Sequence, residues 1–324
     1  MRIRGKTLLQ LVIVGAVAIG LAMTIGEAWE QIAADPNKRN LLWHARWQWL
    51  TASLLLYGLG LLPAAYYWTK LLGQWDIQVT PGRGVASHLL GQLGKYVPGK
   101  AMVIVLRVGG VVQNRQQVLP ATVTVFVETL TMMAVGAAWA GGILVWVGNS
   151  PWLSALAASL VFASVLPTLP PIFRVVLRRL LRSKLQTPLW QRYQAATFAQ
   201  GWLWLSLSWW LIGGSFAAIV HALVPEASST ALYLAAAAMA LAVVAGFVSL
   251  LPGGAGVREW ILITIMEPHI GAVTALTAAI LARLLFILAE ALMFGVSKLV
   301  LHRVIKVAQE VAIQPDSMSD RCDR

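Results

Sequence analysis

Apolar runs of about 20 residues recur along this chain, each long enough to cross a hydrocarbon core as a helix. Hydrophobic residues fill 58% of its 324 positions and charged residues 12%, about half the charged share of a soluble domain. In lipid every backbone polar group must find its partner within the protein, which leaves helices or a closed barrel. Runs of this length select helices. The class is therefore all-α, a polytopic integral membrane protein. The pattern predicts about seven to eight transmembrane helices. They form one membrane domain over residues 1–308, with a polar, disordered tail over 309–324.

Two of the apolar regions are interrupted. One break reads Gly94-Lys95-Tyr96-Val97-Pro98-Gly99-Lys100, the other Leu251-Pro252-Gly253-Gly254-Ala255-Gly256-Val257-Arg258-Glu259. Each joins Pro and Gly to charge. In a bilayer such backbone is tolerated only where it is buried in protein or lines a wet cavity. A matched pair of breaks, one in each half of a chain, is the sequence pointer to a transporter's binding site. The first broken element is predicted over about residues 85–112, as two half-helices around Pro98-Gly99, and the second over about 252–267.

Charge sets the topology. The net charge is +12. In a membrane chain basic residues mark cytoplasmic loops and meet anionic headgroups. With no basic patch on a separate soluble domain, nucleic acid is not an expected partner. Arg2, Arg4 and Lys6 precede an apolar run at 8–25, read as an uncleaved first span with its N-terminus inside. Further spans are expected at 42–67, 118–147, 152–172, 198–220, 232–251 and 272–301, with a short helix at 257–266. The tryptophans of the fifth span, Trp202, Trp204, Trp209 and Trp210, suit a lipid-facing or interfacial surface. The acid-free cluster Arg174, Arg178, Arg179, Arg182, Lys184 and Arg192 marks a cytoplasmic segment or an amphipathic surface helix. Lys298, Arg303 and Lys306 put the C-terminus on the same side, in the cytoplasmic (inner) membrane.

Three acids fall inside apolar helices, Glu128, Glu259 and Glu290, with Arg107, Arg258 and Arg283 as basic partners at similar depth. An unpaired charge at the bilayer centre costs about 3 kcal/mol even on the lowest scales, so these groups face the protein interior. Arg283 and Glu290 are seven apart and share one helix face. Such charges also pair simply to hold helices together.

Gly94 to Lys100 fits the spacing of a nucleotide-binding phosphate loop. Ala101 stands where that loop needs Ser or Thr, Pro98 removes a backbone donor, and no strand precedes it. Lys95, Lys100 and free amides at a half-helix start remain a phosphate contact. The five histidines have no ligand spacing, and no catalytic constellation stands out, so neither metal nor other cofactor is expected. The single cysteine, Cys322, excludes an internal disulfide.

At the two breaks the chain resembles the transmembrane region of lysylphosphatidylglycerol synthases and their stand-alone relatives. Leu93 to Lys100 followed by Arg107 looks like the first signature, and Leu251 to Glu259 like the second. Glu128 falls where that family places a Glu, although Thr129 follows where an Arg is frequent. The resemblance implies two re-entrant or broken elements meeting near the middle of an inner-membrane protein. The soluble synthase domain is absent, so aminoacyl transfer is not carried over. The leading expectation is a flippase-like lipid translocase for an anionic phospholipid or polyprenyl-phosphate-linked lipid. Its substrate-binding residues would be Lys95, Tyr96, Pro98, Gly99, Lys100, Arg107, Glu128, Pro252, Gly253, Gly254, Arg258, Glu259, Arg283 and Glu290. Alternatives are a non-catalytic partner of a glycosyltransferase or cell-envelope complex, and an integral lipid-modifying enzyme. A homodimer through Gly213-Gly214 is a further expectation.

Overall fold

A computed structural model describes residues 33–96, 101–147, 151–181, 189–249 and 256–313, with single positions 22, 23, 25, 26, 29, 30, 251 and 254. Among them all regular structure is helical. In chain order the helices are α1 (Pro36–His44), α2 (Trp47–Gln74), α3 (Pro81–Gln92), a 3-10 turn (Leu93–Tyr96), α4 (Ala101–Val111) and α5 (Val118–Val147). Then come α6 (Pro151–Val165), α7 (Pro170–Leu181), α8 (Ala195–Leu223), α9 (Ser229–Val248), α10 (Val257–Ile270) and α11 (Ala272–Ile313). The expected first span falls almost wholly outside the described residues. So does the tail beyond residue 313.

Among the described residues five helices are long and apolar enough to cross a membrane: Trp47–Gln74, Arg115–Val147, Ala195–Leu223, Ser229–Val248 and Ala272–Leu299. A sixth crossing requires α6 and α7 together, and these bend by 59° at their junction. The bend replaces the straight span expected at 152–172. Its cause is Pro167, Pro170 and Pro171, which remove amide donors and cannot continue a helix. Beyond it α7 is amphipathic, with Phe173 and Leu177 inward and Val175, Val176, Arg178 and Arg179 outward.

The core is built where small residues let helices close. α2 and α8 pack along their length. A Cβ on Gly60 of α2 would stand 2.9 Å from Ile212 of α8. Pro63 breaks the α2 ladder, and the next amide, Ala64 N–H, donates to Ser208 Oγ on α8 at 3.1 Å. Gly213 packs against Ala236 of α9, so this half of the Gly-Gly pair serves contact within the chain. Trp209 turns inward, its indole N–H donating to the Met132 carbonyl at 2.8 Å, while Trp210 faces outward. The fifth-span tryptophans are thus divided between core and surface.

α3 and α4 form an antiparallel hairpin. Arg83 Nε at its base donates to the Gly110 carbonyl at 2.8 Å, and Gly94 near its tip lies against the Met102–Val103 backbone. Neither arm alone spans a bilayer. α11 packs on α3, on α10 and on α2, so the final helix touches both broken elements.

Candidate functional site

The two interrupted regions converge on one cavity of about 250 Å³. Its walls come from α2, from the α3–α4 hairpin, from α5, and from α8 to α10. Most of the lining is apolar, including Leu61, Val125, Phe126, Met133, Val243 and Phe247. Into this setting project Lys95, Arg107, Glu128 and Arg258. A much smaller space on the other side of Arg258 is lined by Tyr96, Glu259 and Arg283.

Glu128 organises one side of the cavity. Its Oε2 accepts from Arg107 Nη1 at 2.6 Å and from Thr129 Oγ1 at 3.2 Å; its Oε1 lies 3.3 Å from His88 Nε2. All of Arg107, Glu128 and His88 are buried. The Arg107 guanidinium also lies over the Trp68 ring, 5.9 Å from its centroid, and Trp68 is fixed by donating to Thr124 Oγ1 at 3.1 Å. Gly91 makes room for this arrangement: a Cβ there would be 2.5 Å from Arg107 Cγ.

Glu290 organises a second cluster behind Lys95. Its Oε1 accepts from the Lys95 ammonium and from the Tyr57 hydroxyl. Glu259 does a third job. Its Oε2 accepts the Gly256 amide at 2.8 Å, capping α10, and its Oε1 meets Arg283 Nη1 at 3.3 Å. Arg283 and Glu290 thus share a helix but turn to different neighbours.

Arg258 differs from the other cavity cations. Its guanidinium donates to Met239 Sδ at 3.7 Å, and no carboxylate stands within ion-pair distance of it among the described residues. Its stem lies against Gly246 and Gly254, which also touch each other; a Cβ on them would fall 2.8 and 2.9 Å from its Cγ and Cδ. Gly254 has φ +71, a conformation that L side chains rarely adopt. The second break therefore uses glycine both for its turn and to seat Arg258.

Of the residues expected to form the site, Lys95, Arg107, Glu128, Gly254 and Arg258 line the cavity, and Tyr96, Glu259 and Arg283 line the adjoining space. Glu290 stands behind Lys95. Pro98, Gly99, Lys100, Pro252 and Gly253 lie outside the described residues. Sequence reasoning missed Tyr57, His88 and Gln92, all of which line the cavity. A signal existed for two of them: His88, Gln92 and Lys95 recur at i, i+4 and i+7, a polar stripe on an otherwise apolar segment.

Long apolar helices around an interior cavity with buried ion pairs define a multi-pass helical membrane protein. The chain belongs to the family described as "Lysylphosphatidylglycerol synthase TM region", matched over residues 8–289. That family points to a role connected with membrane lipids. No curated protein matches the chain.

Proposed function

We infer that this protein is a flippase-like lipid translocase, which moves an anionic phospholipid or a polyprenyl-phosphate-linked lipid across the cytoplasmic membrane. The observation that carries this reading is Arg258, a cation from the second break that lines the cavity and has no carboxylate partner among the described residues, while Arg107 and Lys95 have theirs. A buried or half-buried lone cation stabilises a bound anion such as a phosphodiester.

The surrounding wall suits an amphiphile. Phe126 lines the cavity and is 50% exposed, so an opening of this wall toward lipid, beside the charged interior, would suit such a molecule. A headgroup seated at Arg258 can keep its acyl or prenyl chain in the bilayer through that opening. The basic clusters at both chain ends and along residues 174–192 support cytoplasmic termini in an inner membrane.

The test is lipid scrambling in reconstituted vesicles, read by dithionite quenching of a fluorescent phosphatidylglycerol. Wild-type protein should expose inner-leaflet probe to the quencher, and Arg258→Ala should reduce the rate at least tenfold with helicity unchanged. Equal rates for the two proteins would remove the cavity from the mechanism.

A further inference from the structure

Glu290 is fully buried, and its two oxygens have different surroundings. Oε1 accepts from Tyr57 and Lys95, whereas Oε2 has no hydrogen-bond partner among the described residues. Tyr57 is stacked on Phe286, with ring centroids 3.7 Å apart and planes 7° from parallel, so its hydroxyl has a fixed aim. Lys95 is not held this way. It ends on a short 3-10 turn, its side chain is 24% exposed, and it lines the cavity. Its ammonium meets Glu290 and, at 3.3 Å, the Tyr57 hydroxyl, with the Tyr96 ring centroid 5.3 Å away, on a residue that lines the cavity. Tyr96 from the same turn and Arg258 from α10 are the other ionisable groups close enough to act on this cluster. On α11 itself, Arg283 is directed to Glu259.

A phosphate group seated beside Arg258 competes with Glu290 for the Lys95 ammonium. When it takes that ammonium, Glu290 keeps only neutral hydroxyl neighbours, Tyr57 and Tyr96, in a fully buried position. A buried carboxylate that loses its counter-charge neutralises rather than remaining ionised. We propose that Lys95 is handed from Glu290 to the phosphate group of the bound lipid, and that binding is therefore linked to uptake of one proton by Glu290. The balance is complete: a hydronium ion or buffer acid from the bulk gives up the proton, its bond to hydrogen breaking as the O–H bond forms on Glu290, and Lys95 stays cationic. Headgroup and proton then occupy the same intermediate, which gives translocation a route to the proton gradient. This inference rests on the reading of the cavity as an anionic-lipid site.

The test titrates the full chain in maltoside micelles with dioctanoyl phosphatidylglycerol, and separately with dimethyl phosphate, a phosphodiester that does not titrate in this range. Calorimetry in buffers of different ionisation enthalpy counts the protons exchanged. Wild-type protein should take up about one proton per bound probe, and its affinity should fall about tenfold between pH 7 and pH 8. Glu290→Gln removes the acceptor. Lys95→Met leaves Glu290 without its cation before binding, so the carboxyl starts protonated. Both variants should bind with no net proton uptake, and either suffices if the other does not fold. Uptake with dimethyl phosphate as well as with the lipid supports the hand-over and shows that acyl chains are not needed for it. Wild-type binding without proton uptake overturns the linkage and leaves the cavity reading intact, as does uptake that persists in Glu290→Gln. Failure of both probes to bind overturns the two together.

Discussion

Arg107 Nη1 and Glu128 Oε2 lie 2.6 Å apart, with both side chains almost wholly removed from the surface. They are adjacent in function of space only: one sits on the short arm of the broken hairpin, the other on the long helix that follows it. His88 and Thr129 complete the carboxylate's surroundings.

Removing one partner of this pair should cost more than removing both. Arg107→Met or Glu128→Leu alone strands a buried charge, with an expected loss of about 3–5 kcal/mol. The double variant should recover most of that loss. Thermal unfolding in detergent of the two single variants and the double variant measures the coupling; additive losses would contradict it.

Gly94 and Gly109 offer a matched comparison on the same hairpin. A Cβ at Gly94 would stand 2.6 Å from the Val103 backbone nitrogen, and one at Gly109 meets nothing within 4 Å. Gly94→Ala should part the two arms and lower both yield and transport. Gly109→Ala should be neutral or raise stability by about 0.5–1 kcal/mol through helix propensity. Melting temperatures of the two purified variants check the contrast.

Gly254→Ala combines two penalties. Its φ of +71 costs an L residue about 1–2 kcal/mol, and its Cβ would press on Arg258 Cδ. Gly246→Ala carries only the second penalty, its Cβ falling 2.8 Å from Arg258 Cγ. Both should slow lipid scrambling by displacing the guanidinium, and Gly254→Ala should also lower the melting temperature more than Gly246→Ala does.

Glu259 is expected to matter through structure more than through charge. Glu259→Gln keeps an acceptor for the Gly256 amide, while Glu259→Ala loses the cap and the Arg283 contact together. The alanine variant should be less stable by about 0.5–2 kcal/mol and the glutamine variant by less. Thermal unfolding of the two distinguishes them, and equal losses would argue against the capping role.

The helical membrane class was legible because length and apolarity dictate it with little help from tertiary context. The two breaks were legible for a similar reason: Pro98, Gly99, Pro252 and Gly253 are locally incompatible with an unbroken span. Partner choice was not. Arg283 and Glu290 share a helix face, yet Glu259 from α10 engages the first and Tyr57 with Lys95 engages the second, because each meets whatever neighbour lies at its own level. His88 shows the same limit, since nothing local distinguishes a lone histidine on an apolar helix from one facing a carboxylate 40 positions away. The bend between α6 and α7 was readable in Pro167, Pro170 and Pro171, but total hydrophobicity masked it.

α11 holds Arg283 and Glu290 about 10 Å apart along its axis, two turns of one continuous rod. One tether runs to the helix after the second break, the other to the turn before the first. A slide or roll of this rod would therefore act on both broken elements at once. The two broken elements thus share one support, and each is tied to it by a single ion pair.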